Sequence, residues 1–407
     1  MRPANPSNHR RNMSSTRVVS IAQMTVTSAV GRGWSAHVDA LAQQRSGLRP
    51  NAVPGAEGLG WVGEVDGLSE VRLPAELARF DCRNNRLAWL ALQQDSFLPA
   101  ARAALSQVRP ERVAVFMGTS TSGIQQTERA YAEMGSGDAL PDWFDYRHTH
   151  NVYSLAAFLR EIFDARGPSA CISTACSSSA KVFASAERAL RLGLCDAAIV
   201  GGCDSLCLTT LRGFHALQLV SAQPCRPADA ERDGISIGEG AGFALLTLAD
   251  EAPRAVLGYG ESSDAHHMSS PDPDGAGAAR AMTAALKRAG LAANDLAYAN
   301  LHGTATPAND RAEDRAVQSV LGSAVPCSST KAYTGHTLGA AGIIEAAFAL
   351  IALEQGQLPA SLNTKTVDPD FGSRILLKPE ATRGHAALSN SFGFGGSNCS
   401  LILGAGA

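Results

Sequence analysis

Short apolar runs of β type alternate along this chain with longer stretches in which apolar residues recur at helical spacing. Val113-Ala114-Val115-Phe116 precedes Gly118, Ala197-Ala198-Ile199-Val200 precedes Gly201-Gly202, and Gly242-Phe243-Ala244-Leu245-Leu246 forms a third run. That alternation predicts α/β layers. The second half repeats the grammar with Ala255-Val256-Leu257-Gly258, a helix over Gly275 to Gly290, a strand near Tyr298 to Leu301 and a helix from about Gly342 to Gln355. The pattern therefore predicts one compact body of two similar α/β halves, residues 17–250 and 251–407, divided where Asp250, Glu251 and Pro253 separate two β-rich runs. The first strand-like run begins only at Arg17-Val18-Val19. Residues 1–16 hold Arg, Asn, Pro and Ser without an apolar stretch, so they read as a disordered extension rather than a secretory signal, and Met13 is an alternative start.

Composition narrows the function. The chain of 407 residues is 45% hydrophobic and 18% charged with a formal net charge of -3, which supplies none of the basic field that nucleic-acid binding requires. Apolar stretches are interrupted by Gly, Asp or Arg well before the roughly 18 residues of a membrane span. Nine cysteines without a CxxC pair fit a reduced cytoplasm, where the ordinary role of each is a small buried apolar residue. Cys203 and Cys207 lack the His or acidic partners of a zinc site, so no metal is expected.

One cysteine stands in a different setting. Ala170 to Ala180 reads as a strand running into a helix, with Cys176 at the junction and Val182, Phe183, Ala186, Ala189 and Leu190 at helical spacing beyond it. A helix N-terminus stabilises a thiolate and makes the sulfur a competent nucleophile, although a buried structural cysteine at a tight turn fits the same segment. His302 follows a strand and projects into the loop Gly303 to Asp310. His336 lies in a Gly-rich loop entering a helix, with Lys331 flanking the same turn. Each histidine alone reads equally well as structural or catalytic. The loop Asn390 to Asn398 joins flexible glycines to Phe392 and Phe394, and can either aim a backbone N–H at an oxyanion or simply turn between strands.

Together these segments resemble closely the β-ketoacyl-acyl-carrier-protein synthases of the elongating type, members of the thiolase superfamily. The matches run in order: TACSSS with Cys176, HGTxTPxxD with His302, KxxxGHxxGAAG with Lys331 and His336, and NSFGFGGSN with Phe394. Weaker matches include Pro224 to Pro227, Gly238 to Gly242 and Ser263 to His267, and the likeness extends over roughly residues 110 to 402. Ser20 to Met24, Ala228 and Thr121 depart from the family pattern.

The resemblance implies a thiolase-like fold of duplicated halves in α-β-α-β-α layers. It also implies a decarboxylative Claisen condensation. Cys176 takes an acyl group while the N–H groups of Cys176 and Phe394 hold the oxyanion; His302 and His336 then donate to the enolate left when a malonyl thioester loses carbon dioxide. Lys331 disfavours imidazolium and Glu345 holds Lys331. Thr304 and Thr306, with Ser269 and Phe392, are expected to receive the phosphopantetheine arm, and Thr121 to line the acyl pocket. The expected partners are an acyl carrier protein and an identical or related subunit in a dimer, and no further cofactor is expected. The rivals are a non-catalytic chain-length-factor-like subunit and a thiolase, both disfavoured by the Cys-His-His set, and a Cys hydrolase or amidase, which an esterase assay discriminates. Asp81 to Arg86 and the compact length look like the aryl-polyene branch.

Overall fold

The computed structural model describes residues 17–134 and 139–405. The expected extension over residues 1–16, and with it the start at Met13, lies outside the described residues. The strands that build the architecture are β1 (Val18–Ser28), β2 (Val113–Gly118), β3 (Ser169–Ile172), β4 (Ala197–Asp204) and β5 (Gly240–Ala249), then β6 (Arg254–Ser263), β7 (Tyr298–Asn300), β8 (Pro326–Ser328), β9 (Ala386–Gly393) and β10 (Ser397–Ala405). The runs at 113–116, 197–200, 242–246 and 255–258 fall inside β2, β4, β5 and β6, and those near residues 17–19 and 298–301 coincide with β1 and β7 to within one residue. β2 and β4 are buried along their whole length, as parallel strands covered on both faces must be.

The strand order states the duplication. In the first half it is β1-β5-β4-β2-β3, and in the second β6-β10-β9-β7-β8. The senses also agree: the first two contacts of each set are antiparallel and the last two parallel. β1 and β6 join the sets through a short antiparallel contact, Val19 opposite Val256 and Ser20 opposite Ala255.

The helices that position the site are α1 (Ser154–Ile162), α2 (Ser178–Arg191), α3 (Leu208–Ala216), α4 (Ala276–Ala289), α5 (Pro307–Leu321) and α6 (Ala341–Glu354). α2 and α6 pack on each other and touch strands of both halves, which makes them the middle layer; α1 covers β2 and β3 outside, and α4 covers β6 and β10. The result is the expected α-β-α-β-α stack. α6 has no polar face because every residue from Ala341 to Leu353 is buried, and a helix apolar all round belongs in a core. Its buried charge, Glu345, therefore needs a partner. Close approach of the middle helices requires glycine at two points. A Cβ on Gly118 would lie 2.4 Å from the Ser179 nitrogen, and one on Gly342 would lie 2.4 Å from the Ala180 nitrogen. Ser179 Oγ in turn accepts from the Ile343 N–H at 3.0 Å, so α2 caps the start of α6. No helix among the described residues is long and apolar enough to cross a membrane.

Candidate active site

β3 ends at Ile172 and α2 starts at Ser178, so the chain reverses within residues 173–177. Ala175 takes a left-handed conformation, φ 51°, which turns the next side chain out of the strand line. That side chain is Cys176. It lies just ahead of the helix cap Ser177, one step further out than the sequence pattern suggests. The Phe394 N–H pulls the thiol down, and Gly393 lets its loop approach: a Cβ there would lie 2.6 Å from the Thr174 carbonyl oxygen and 3.3 Å from the Cys176 nitrogen.

Burial opposes the thiolate that a helix start favours. Burial pushes the Cys176 thiol up to about 12, against the opposing pull of the Lys331 charge and the Phe394 N–H. A sulfur pushed toward its thiol form needs a base. His336 Nε2 lies 3.0 Å from Cys176 Sγ.

His336 is fixed through its backbone, which donates to the Ser236 carbonyl at 2.7 Å and accepts from the Gly238 N–H at 2.9 Å. Its Nδ1 has no partner among the described residues, so the ring can hold its proton on either nitrogen. His302 follows β7 and is fixed by Glu313 of α5, whose carboxylate accepts from the His302 N–H at 2.8 Å and the Gly303 N–H at 2.7 Å. The His302 and His336 rings meet edge to face with centroids 5.3 Å apart, and the donor atoms of Cys176, His302 and His336 all lie within 4.8 Å of one another. The structure thus brings together the three side chains that the sequence singles out.

Behind them, Lys331 is ion-paired with Glu345 and lies 3.3 Å from His302 Nδ1. An ammonium can only donate, so Nδ1 accepts and the His302 proton sits on Nε2. Burial holds both histidines well below the usual range, and the Lys331 charge adds to it. They are neutral donors. Burial also raises Glu345 to about 7 against the pull of Lys331, and Glu313 to about 7 against the N–H groups it accepts.

Cys176, His302 and His336 open on a cavity of about 250 Å³, which Thr304, Thr306, Ser269, Phe392 and Phe394 also line. The Thr304 and Thr306 hydroxyls lie 2.9 Å apart. Thr121 is placed elsewhere, and its expected place in the acyl pocket is corrected: it is buried outside the cavity lining and its hydroxyl donates to Asp204 at 2.7 Å. A hydroxyl beside a buried carboxylate bonds to it rather than facing an apolar tunnel. The sequence reading missed Glu313, Asp204 and Phe214, which lines the cavity and packs on Phe394 with centroids 5.6 Å apart. Glu313 was findable, since it follows Asp310 by one helical turn.

Models of the beta-ketoacyl synthase N-terminal and C-terminal domains match residues 79–252 and 254–365. The chain is 43% identical over 259 residues to 3-oxoacyl-[acyl-carrier-protein] synthase 2 of Rhizobium meliloti, an alignment covering 58% of this chain and 61% of that protein. With the synthase of the same name from Vibrio cholerae it shares 33% identity over 360 residues, 80% of this chain and 86% of that one. Among solved structures, the ketosynthase ApeO of Xenorhabdus doucetiae, in complex with its chain length factor ApeC, superposes with a TM-score of 0.88 at 36% identity, covering 96% of this chain and 98% of that one. With both domain models matched across the nucleophile and histidine halves, the chain belongs to the β-ketoacyl synthase family.

Proposed function

We propose that the chain catalyses decarboxylative Claisen condensation between an acyl group and a malonyl unit, both carried as thioesters on an acyl carrier protein. The observation that supports it best is the Cys176 sulfur at 3.0 Å from His336 Nε2, with a second neutral imidazole in the same cavity. The Cys176 sulfur attacks the acyl carbonyl while its proton passes to His336 Nε2, and the N–H groups of Cys176 and Phe394 take the developing oxyanion. Collapse expels the carrier thiolate, which takes that proton back from His336. The acyl-enzyme and a free carrier thiol result. Malonyl thioester then enters; its carboxylate leaves as carbon dioxide, and the bond electrons form an enolate whose oxygen accepts from His302 Nε2 and from His336 in the tautomer that carries its proton on Nε2. The enolate carbon attacks the acyl-Cys176 carbonyl. Carbon-sulfur cleavage releases the β-ketoacyl thioester, and the sulfur regains a proton from solvent.

In this reading Lys331 and Glu345 set the histidines, and Thr304, Thr306, Ser269 and Phe392 receive the phosphopantetheine arm. Residues 17–250 and 251–407 serve as the two functional halves, one bearing the nucleophile and one the histidines. No cofactor beyond the carrier's arm enters any step. The likeness of Asp81 to Arg86 to the aryl-polyene branch supports a dedicated aryl-polyene or related polyketide pathway over housekeeping fatty-acid elongation. The likeness to ApeO, a ketosynthase in complex with its chain length factor, supports a dimer whose second subunit is an identical chain or a chain length factor. We place the enzyme in the cytoplasm, which nine free cysteines suit.

Intact-mass measurement after incubation with an acyl carrier tests the reading. The wild type gains one acyl group, Cys176→Ala gains none, and the variant still decarboxylates malonyl carrier. An adduct that persists in Cys176→Ala overturns the assignment.

A further inference from the structure

The most heavily hydrogen-bonded side chain near the site belongs to neither catalytic loop. Asp204 ends β4 and is fully buried. Its Oδ1 accepts from Thr119 Oγ1 at 2.5 Å, the Thr121 N–H at 2.8 Å and Thr121 Oγ1 at 2.7 Å. Its Oδ2 accepts from Ser120 Oγ at 2.8 Å and the Gly339 N–H at 2.6 Å, and the Ser120 N–H lies 3.0 Å from both oxygens. These donors come from opposite halves of the molecule: residues 119–121 follow β2, whereas Gly339 lies on the loop that carries His336.

The grip on Gly339 is tight. A Cβ there would lie 2.7 Å from Asp204 Oδ2 and 2.8 Å from the Ser120 nitrogen, and the Gly339 N–H also reaches Ser120 Oγ at 3.0 Å. Between Gly339 and His336, Leu338 is held at φ 52°, a conformation that an apolar side chain adopts only under constraint. A buried carboxylate is costly unless its acceptors are filled, and here the filling groups are backbone N–H groups and hydroxyls from two segments rather than a cation.

We propose that Asp204 is a positioning residue for the condensation: by gripping residues 119–121 and the Gly339 N–H together, it holds the His336 loop at hydrogen-bond distance from Cys176. The role rests on the function proposed above. Asp204 touches no cavity surface, so it acts on the rate through His336 and not on substrate capture.

Asp204→Asn keeps the shape but turns an NH2 toward donors, and Ser120→Ala removes one acceptor of the Gly339 N–H while leaving the carboxylate. Steady-state kinetics on malonyl and acyl carriers, well below each melting transition, read the result. A displacement on the order of 1 Å costs about 100-fold in rate. Asp204→Asn is therefore expected to lower kcat for both malonyl decarboxylation and condensation by about 10- to 100-fold with KM within about twofold, and Ser120→Ala to lower kcat by about 3- to 10-fold with the same KM. If Asp204→Asn does not fold, Ser120→Ala decides. Folded variants that keep wild-type kcat, or that raise KM as much as they lower kcat, overturn the role. A wild type that decarboxylates or condenses nothing overturns the function proposal instead, so the two failures are distinct.

Discussion

The two halves share a strand order and differ in what joins the third strand of each to the buried helix. In the first half residues 173–177 join β3 to α2, and in the second residues 329–340 join β8 to α6. The short connection places one sulfur, and backbone geometry does this almost alone through Ala175 and the close approach of Gly393. The long connection must place Lys331 and His336 with defined proton positions, and it uses buried charge to do so. Lys331 pairs with Glu345 of α6, while Glu313 of α5 holds the second histidine from outside the loop. A nucleophile needs a fixed point, whereas proton donors also need a fixed tautomer and charge, and the same scaffold meets each need by the length of one loop.

The comparison breaks most severely at Lys331. Lys331→Met removes the donor that fixes the His302 tautomer, and loss of a positioned hydrogen-bond donor of this kind costs about 100-fold or more in malonyl decarboxylation. The pH profile shows the cause. Both histidines lie well below their ordinary 6.5, so the wild-type decarboxylation rate stays level as pH falls through that value. Without the ammonium both values rise, and the acid limb of the rate moves to higher pH while burial still holds it below the ordinary range. Stability carries the same sign: each neutral imidazole contributes fully above 6.5, and the contribution is lost as pH falls toward the depressed folded value, by about 1.4 kcal/mol per pH unit per group. Removing one member of a buried pair also destabilises by about 3 to 5 kcal/mol, so Lys331→Met/Glu345→Leu serves as the control that restores folding without restoring rate. An unmoved pH profile in the folded double variant would count against Lys331 as the group that sets the histidines.

The elbow breaks differently. Gly393→Ala puts a methyl 2.6 Å from the Thr174 carbonyl oxygen, which shifts the Phe394 N–H away from the sulfur. Acyl transfer to Cys176, followed by intact mass over time, falls by about 10- to 100-fold, the range for loss of one oxyanion donor or a small misplacement. Malonyl decarboxylation stays within about threefold, because neither histidine rests on that contact. Equal losses in both half-reactions would show that the elbow and the histidine loop are not separately built.

Much of this was legible in the sequence, for reasons that differ by residue. β2, β4 and the strand runs of the second half stand out because buried strands are apolar end to end, and α4 because Gly275 and Gly290 bracket it with left-handed backbone. Cys176, His302 and His336 stand out because each sits in a run of small residues at the cavity, and Lys331 because it flanks the His336 turn. The state of the sulfur did not follow from its place near a helix start, since the outcome depends on burial by Phe394 and the second half. Thr121 misled for a related reason. Its neighbour Asp204 lies far along the chain, and only the parallel pairing of β2 with β4 brings the carboxylate to the hydroxyl. Ion pairs and buried acceptors that join distant segments leave no local pattern.

The smallest effect sharpens the comparison at the cavity mouth, where neither loop needs a fixed charge. Thr304 and Thr306 belong to the segment that leads from His302 into α5, and their hydroxyls face the cavity within hydrogen-bond distance of each other. That mutual bond satisfies one donor and leaves the other for an amide of the arriving arm. Valine at either position keeps the volume and the branched β-carbon and removes the hydroxyl, which forfeits about 0.5 to 1.5 kcal/mol of a neutral hydrogen bond. The arm is bound alike before and during reaction, so the loss appears as uniform binding: KM for malonyl and acyl carrier rises by about 2- to 10-fold and kcat stays near wild type. The double variant Thr304→Val/Thr306→Val costs less than the product of the singles, because each single already breaks the shared bond. A fall in kcat with KM unchanged would move these threonines from the arm to the reacting centre, and would mean that the histidine half places more than its two rings.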